Sequence, residues 1–236
     1  MHLKGRRCFI MGSLSLTCIA EWLDTFFAGY DHALLSALHS LAEWGGSVLT
    51  IVMRVITFAG EKGILMFALA LILMLFRKTR RCGICIFGAV CCGALITNII
   101  LKDSVERLRP LEALAEYTEW WQFVGAPTED GFSFPSGHVT ALTSGLCALC
   151  FCRGRKYILP TVISVVIMGI SRNYLMAHYP SDVLAAMIIG IASAAAAYGI
   201  TVLIYRLIDR YRDRSFFRFV LDADIGDLFR KKGAVD

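Results

Sequence analysis

The residues able to do chemistry fall in three short segments that lie far apart in the chain. Lys102-Asp103-Ser104-Val105-Glu106-Arg107-Leu108-Arg109-Pro110 comes first, Pro135-Ser136-Gly137-His138 second, and Ser171-Arg172 with His178 and Asp182 third. Lys102, Arg109 and Arg172 supply three positive charges and many N–H donors, and such cations are costly to bury unpaired, so they call for an anion. A phosphoryl group fits them, because Arg presents a planar fork to two oxygens while Lys acts as a compact charge. Where Ser136-Gly137-His138 opens a helix, the free N–H groups of the first turn point at the same anion. Gly137 allows close approach there, and Pro135 suits a helix start.

Two histidines complete a catalytic set. His178 and Asp182 are four residues apart with Pro180 compatible with a helix start between them. The Asp182 carboxylate is therefore expected to accept a hydrogen bond from His178 Nδ1, which fixes the tautomer and aims Nε2 outward. His178 is then the candidate nucleophile, forming a phosphohistidine. His138 is the candidate acid that protonates the departing oxygen and afterwards activates water. The cations neutralise the equatorial oxygens of an in-line transition state, a task many phosphoryl-transfer enzymes give partly to magnesium, so no metal and no other cofactor is expected. Arg172 has a plainer alternative, a structural pair with Asp182. Asp103, Glu106 and Arg107 read as solvated or locally paired loop charges, and His2, His32 and His39 as caps or surface residues.

The elements that must hold these groups are membrane spans. The 236 residues are 57% hydrophobic and only 18% charged, which is too apolar and too sparsely charged for disorder, a coiled coil or an ordinary soluble enzyme. Residues 82–101 hold no charge and 183–205 form a second clean span, both long enough to cross a bilayer. Shorter or partly polar candidates are 63–76, 139–152 and 157–176. The first crossing is assigned to 8–30 despite Glu21 and Asp24, with 34–58 as an amphipathic interfacial segment. A signal peptide is the rival, since Lys4, Arg6 and Arg7 precede an apolar run ending at Ala20. Six spans of about 20 residues use roughly half the chain and leave no second domain.

Most of the 24 Lys and Arg residues sit in four clusters, at 1–7, 77–81, 153–156 and 206–232. Six spans place all four clusters on one side, so both termini are expected in the cytoplasm and the three motif segments outside. Arg54 and Lys62 break this rule as snorkelling outer residues. None of the nine cysteines falls in an outer loop, so they read as small buried apolar residues, and the Cys82/Cys85 pair lacks the partners of a zinc site. The 111–134 loop carries Trp120, Trp121 and Phe123, which suit the interface or an ordinary aromatic belt. Its acidic residues Glu112, Glu116, Glu119, Glu129 and Asp130 have no assigned role. The tail from 206 to 236 alternates basic and aromatic residues, as an amphipathic inner-leaflet helix would. The small-residue run 192–197 permits close helix contact within the chain or between chains.

On these motifs the sequence resembles the membrane-bound type 2 phosphatidic acid phosphatase (PAP2) superfamily, whose catalytic core is similar to that of vanadium haloperoxidases. The family pattern KxxxxxxRP, PSGH and SRxxxxxHxxxD is met at Lys102, Arg109 and Pro110, at Pro135 to His138, and at Ser171, Arg172, His178 and Asp182, over about residues 57–205. The resemblance implies an all-α, six-helix transmembrane bundle whose site faces the extracytoplasmic side of what is expected to be a bacterial plasma membrane. It divides the chain into an N-terminal part (1–56), a catalytic domain (57–205) and a cytoplasmic tail (206–236). It also implies phosphate binding by Lys102, Arg109, Ser136, Gly137 and Arg172, with His138, His178 and Asp182 catalytic. The activity implied is metal-independent hydrolysis of a lipid phosphate or diphosphate such as phosphatidic acid, phosphatidylglycerol phosphate or undecaprenyl diphosphate, with sugar phosphates also in the family's range. The expected partners are membrane lipids and no nucleic acid. A transporter or receptor that binds a phosphorylated lipid without turnover shares the same cations, and a haloperoxidase shares the same anion pocket.

Overall fold

The computed structural model describes residues 17–210, and every element among them is helical. Parts of the chain expected to form the start of the first span or signal peptide (1–16) and most of the basic tail (211–236) lie outside these residues. The chain opens with α1 (Thr17–Phe26) and α2 (Ala28–Ala59), the latter kinked at Gly46, and continues through a short 3₁₀ turn to α3 (Ile64–Leu75). α4 (Arg80–Ala94) runs on without a break through a π-helical segment, Leu95–Leu101, into α5 (Lys102–Val105). Two short outer helices follow, α6 (Pro110–Ala113) and α7 (Ala115–Phe123), then α8 (Gly137–Arg153), α9 (Ile158–Tyr174) and α10 (Pro180–Arg210).

Ala28–Ala59, Arg80–Ala113 and Pro180–Arg210 are long and apolar enough to cross a membrane, with the shorter apolar α3 packed beside them. Ile51, Leu65, Ile99, Leu159, Ile188 and Leu203 project outward from the bundle. A surface this apolar suits lipid chains rather than water, and the chain is an integral membrane protein. Residues 34–58, read from sequence as interfacial, lie within α2 and therefore in one of the three helices able to cross.

Small side chains let the central helices approach closely, the usual device where lipid removes the hydrophobic drive between helices. The core joining α3, α4, α8 and α10 is built from Met66, Ala70, Cys82, Cys85, Ile86, Ala89, Val90, Ala141, Ala148, Ala194 and Ala197. A Cβ at Gly190 would lie 2.6 Å from Thr143, and one at Gly83 2.6 Å from the Ala70 carbonyl, so any larger residue would force α8 from α10 or α3 from α4. Ser193, Ala194 and Ala197 turn inward, so that part of the small-residue run serves contacts within the chain. Cys82 and Cys85 are buried as expected, whereas Cys18 and Cys91 are exposed, and all the described cysteines are free.

The connection between α5 and α8 is more ordered than its composition suggests. Trp120 is buried with Tyr117 against Leu35, Met176 and Tyr179, which replaces an aromatic belt with a packed cap over the bundle; Phe123 remains exposed. His39 stacks on Trp120 with ring centroids 4.8 Å apart, and His32 Nδ1 lies 3.1 Å from the Tyr117 hydroxyl. Both histidines therefore pack against this cap, His32 while exposed at the surface as expected and His39 half-buried. Arg54 does not snorkel: its Nη2 donates to the carbonyls of Val124 and Gly125 at 2.8 and 2.7 Å, tying α2 to the loop after α7.

Candidate active site

The three motif segments meet in one cavity of about 590 Å³, to whose wall Lys102, Arg109, Gly137, His138, Arg172 and His178 all contribute. Each is placed by a local feature. The π-helical segment widens the turn before Lys102, and Asn98 reaches the same wall one turn earlier; such segments recur at functional sites. Ser136 is the N-cap of α8, so Gly137 and His138 open that helix, with Pro135 just before it instead of at its first position. Arg172 closes α9, where Ser171 donates to the Met53 carbonyl at 2.8 Å and so accepts from Thr57 at 2.5 Å. His178 lies in the connection between α9 and α10, 1% exposed.

Ser136 Oγ and Arg172 Nε are buried without a hydrogen-bond partner among the described residues. A buried donor left unsatisfied costs about 1–3 kcal/mol, and tetrahedral phosphate oxygens would satisfy both. Arg109 differs. It donates to the carbonyls of Gly131, Ala177 and Asp130 at 2.9, 2.7 and 2.7 Å, so it contributes chiefly charge while stapling the outer loop to the His178 connection. The rest of the cavity wall includes Phe58, Phe67, Val90, Ala94, Ala141 and Leu175, an apolar side that suits a hydrocarbon group attached to an anion.

One residue of the acidic loop, Glu129, has a structural role. Glu129 pairs with Arg172 at 2.6 Å and with Arg109 at 3.3 Å. Arg172 is therefore paired with Glu129 and not with Asp182. Burial opposes ionisation of Glu129, but Arg172 and Arg109 outweigh it and hold the carboxyl below its usual range. A carboxylate on two of the phosphate-site cations competes with any incoming phosphate. Glu129→Gln is accordingly expected to tighten inhibition by orthovanadate or inorganic phosphate several-fold, about 1 kcal/mol of relieved competition, read as the inhibition constant.

His178 departs from the expected geometry. Its Nδ1 lies 2.7 Å from the backbone carbonyl of Ser133 and 3.9 Å from Asp182 Oδ2. A carbonyl only accepts, so the ring carries its proton on Nδ1 and presents a bare Nε2. Asp182 instead accepts from the Tyr179 N–H at 3.0 Å and from the Ser133 hydroxyl at 2.5 Å. The reason is local: α10 begins at Pro180, so Asp182 is its third residue and turns back to cap Tyr179, as acids at that position do. Burial first, and then Arg172 and Arg109, push the His178 imidazole well below its ordinary pKa, which keeps it neutral and nucleophilic through the neutral range.

Arg107, read as a loop charge, is 1% exposed. It joins Asp24 at 2.8 Å, Asp31 at 3.0 Å and Asp182 at 2.5 Å. Asp103 and Glu106 are exposed as expected. Arg107, Asp31, Ser133, Glu129 and Asn98 are the site-region residues that pattern reading missed. The π-helical segment, the carboxylates inside an otherwise apolar first helix pair and the unexplained acidic loop were the available signals.

Residues 83–206 match the PAP2 superfamily. Undecaprenyl-diphosphatase BcrC of Bacillus subtilis is 31% identical over 163 residues, 68% of this chain and 79% of that protein. An undecaprenyl-diphosphatase of Sulfolobus acidocaldarius is 25% identical over 119 residues, 50% of this chain but only 55% of that relative's length. Among solved structures, the fold is similar to a transmembrane PAP2-type phosphatidylglycerolphosphate phosphatase from Bacillus subtilis, with TM-score 0.61 and 23% identity over 80% of this chain and 93% of that one. LpxE of Aquifex aeolicus gives TM-score 0.58 and 20% identity over 69% of this chain and 93% of its own.

Proposed function

Since this chain belongs to the PAP2 superfamily, we propose that it is a lipid phosphatase that removes a terminal phosphoryl group through a phosphohistidine on His178. The observation that carries this reading is the convergence of Lys102, Arg109, Arg172, His138 and His178 on one cavity with an apolar side. Nε2 of His178 attacks phosphorus in line, forming the P–N bond as the bond to the leaving oxygen breaks. His138 gives that oxygen its proton, then takes a proton from the water that attacks the phosphoryl group and releases His178. Lys102, Arg109 and Arg172, with Ser136 and the amides at the start of α8, balance the charge on the non-bridging oxygens. Asp182 supports His178 through Ser133.

The two curated relatives named as undecaprenyl-diphosphatases favour a polyprenyl diphosphate as substrate, with phosphatidic acid and phosphatidylglycerol phosphate as the alternatives. With six membrane crossings in a bacterial plasma membrane, the clustered basic residues put the site on the extracytoplasmic side and both termini in the cytoplasm in this reading. Residues 1–56 form the N-terminal part, 57–205 the catalytic domain and 206–236 the tail.

The test is phosphate release from these three lipids in detergent with EDTA present. Sustained multiple turnover on one of them, inhibited by vanadate, is the expected result; stoichiometric binding without turnover would support a binding or transport protein instead. The pH profile carries a second expectation. Because His178 stays unprotonated far into the acid range, the fall of kcat/KM attributable to its protonation lies well below pH 6.5, the ordinary histidine midpoint. An acid limb centred near pH 6.5 and retained in all variants but His178→Ala would contradict the enclosure described above.

A further inference from the structure

We propose that Arg107 is a positioning residue for the nucleophile, and that its acidic partners Asp24 and Asp31 make α1 and α2 part of the catalytic apparatus. The inference rests on the phosphatase reading and adds Arg107, at an unspecified position of the first motif, and two acids outside the stretch matched to the family.

The chain of contacts is short. Arg107 donates from Nε to Asp24 Oδ1 at 2.8 Å, from Nη2 to Asp31 Oδ2 at 3.0 Å, and from Nη1 to Asp182 Oδ1 at 2.5 Å and Ser181 Oγ at 2.8 Å. Its guanidinium carbon stands 4.0 Å from the centroid of the Tyr179 ring. Asp31 is itself held by the Ser181 amide at 2.8 Å and the Ser181 hydroxyl at 2.6 Å. Everything converges on Ser133. Its N–H donates to the Arg107 carbonyl at 2.8 Å, its hydroxyl donates to Asp182 at 2.5 Å, and its own carbonyl holds His178 Nδ1 at 2.7 Å. Arg107 thus grips Ser133 from the main chain and, through Asp182, from the side chain, leaving its carbonyl with one orientation.

Stability alone gives a poor reason for this arrangement. Three carboxylates face one guanidinium that is 1% exposed, with Asp31 and Asp182 buried beside it. Buried ion networks commonly contribute no more than a well-packed apolar cluster of the same size. What such a network does provide is direction, because the fork of Arg107 fixes three acids from three separate segments at once. The one group with reaction chemistry at the end of these contacts is the His178 imidazole, and displacement of a nucleophile by about 1 Å can cost roughly 10²-fold in rate.

The experiment compares wild type with Arg107→Lys, Asp31→Asn and Ser133→Ala in detergent, measuring kcat, KM, the vanadate inhibition constant and the acid limb of kcat/KM. The expected result is a fall of about 10- to 100-fold in kcat for Arg107→Lys and Asp31→Asn, with KM and vanadate affinity within about two-fold of wild type and the acid limb moved upward as His178 loosens. Ser133→Ala, which keeps the carbonyl but frees it from Asp182, is expected to share the kcat loss in milder form. Unchanged kcat, a loss carried equally by KM and vanadate affinity, or variants that all fail to fold would overturn the inference and leave the network purely structural. A wild type without turnover on any of the lipids would instead defeat the phosphatase reading beneath it.

Discussion

Replacing His178 by Ala is expected to lower kcat by at least about 10⁴-fold, some 5.5 kcal/mol of transition-state stabilisation, with vanadate still bound. The argument is geometric. Nε2 is the bare nitrogen of a ring whose other nitrogen is committed to the Ser133 carbonyl at 2.7 Å, and it opens on the same cavity as the cations. Removal leaves the cations able to hold a phosphate but supplies nothing to form the covalent intermediate, so water must attack in one unassisted step. His178 sits in the connection between α9 and α10, so truncation to Ala removes its bond to the Ser133 carbonyl but interrupts no helix. The elution profile and vanadate affinity of the variant are therefore expected to match wild type. Turnover within about ten-fold of wild type would remove His178 from the mechanism.

Arg172→Ala is expected to cost about 10³-fold in kcat/KM, expressed in both KM and kcat because the guanidinium meets the phosphate before and during reaction. It is buried at the end of α9, its position fixed by the Ser171 contacts to Met53 and Thr57, with no partner for Nε among the described residues. Arg172→Lys is expected to recover little, since an ammonium has neither the planar fork nor the reach to bridge two oxygens. The variant also loses the main partner of Glu129 at 2.6 Å, leaving beside the phosphate site a carboxylate matched only by Arg109 at 3.3 Å. The double variant Arg172→Ala/Glu129→Gln should therefore regain part of the loss. A wild-type KM in Arg172→Ala would show that the phosphate does not rest on this residue.

Much of this was legible in the sequence where the cause is local. A long charge-free run over 82–101 reads as a membrane-spanning helix, and α4 with its π-helical continuation occupies it. The gapped motifs announced the cavity because each carries several groups that make sense only around an anion, and they do line one wall. The failures come from contacts that span the chain. Glu21 and Asp24 count against the first span, yet the charge of Asp24 is matched by Arg107, 83 residues away. Composition registers a charge but not its distant partner. The direct His178–Asp182 hydrogen bond is missing for a different reason, the two groups standing 3.9 Å apart: spacing by four implies contact only inside a helix, and α10 starts between them at Pro180. Glu129 sits in a segment without periodicity, so nothing in its neighbourhood indicated that Arg54 and Arg109 would pin that loop over the site.

The central claim is a covalent phosphohistidine at position 178, and rapid quenching with a lipid substrate labelled in its terminal phosphate tests it most directly. The account predicts a base-stable, acid-labile label on the wild-type chain, mapped to the peptide holding His178, absent from His178→Ala and longer-lived in His138→Ala, where the hydrolytic step lacks its base. Sustained lipid turnover with no labelled protein at any quench time, or equal labelling of His178→Ala, would contradict it.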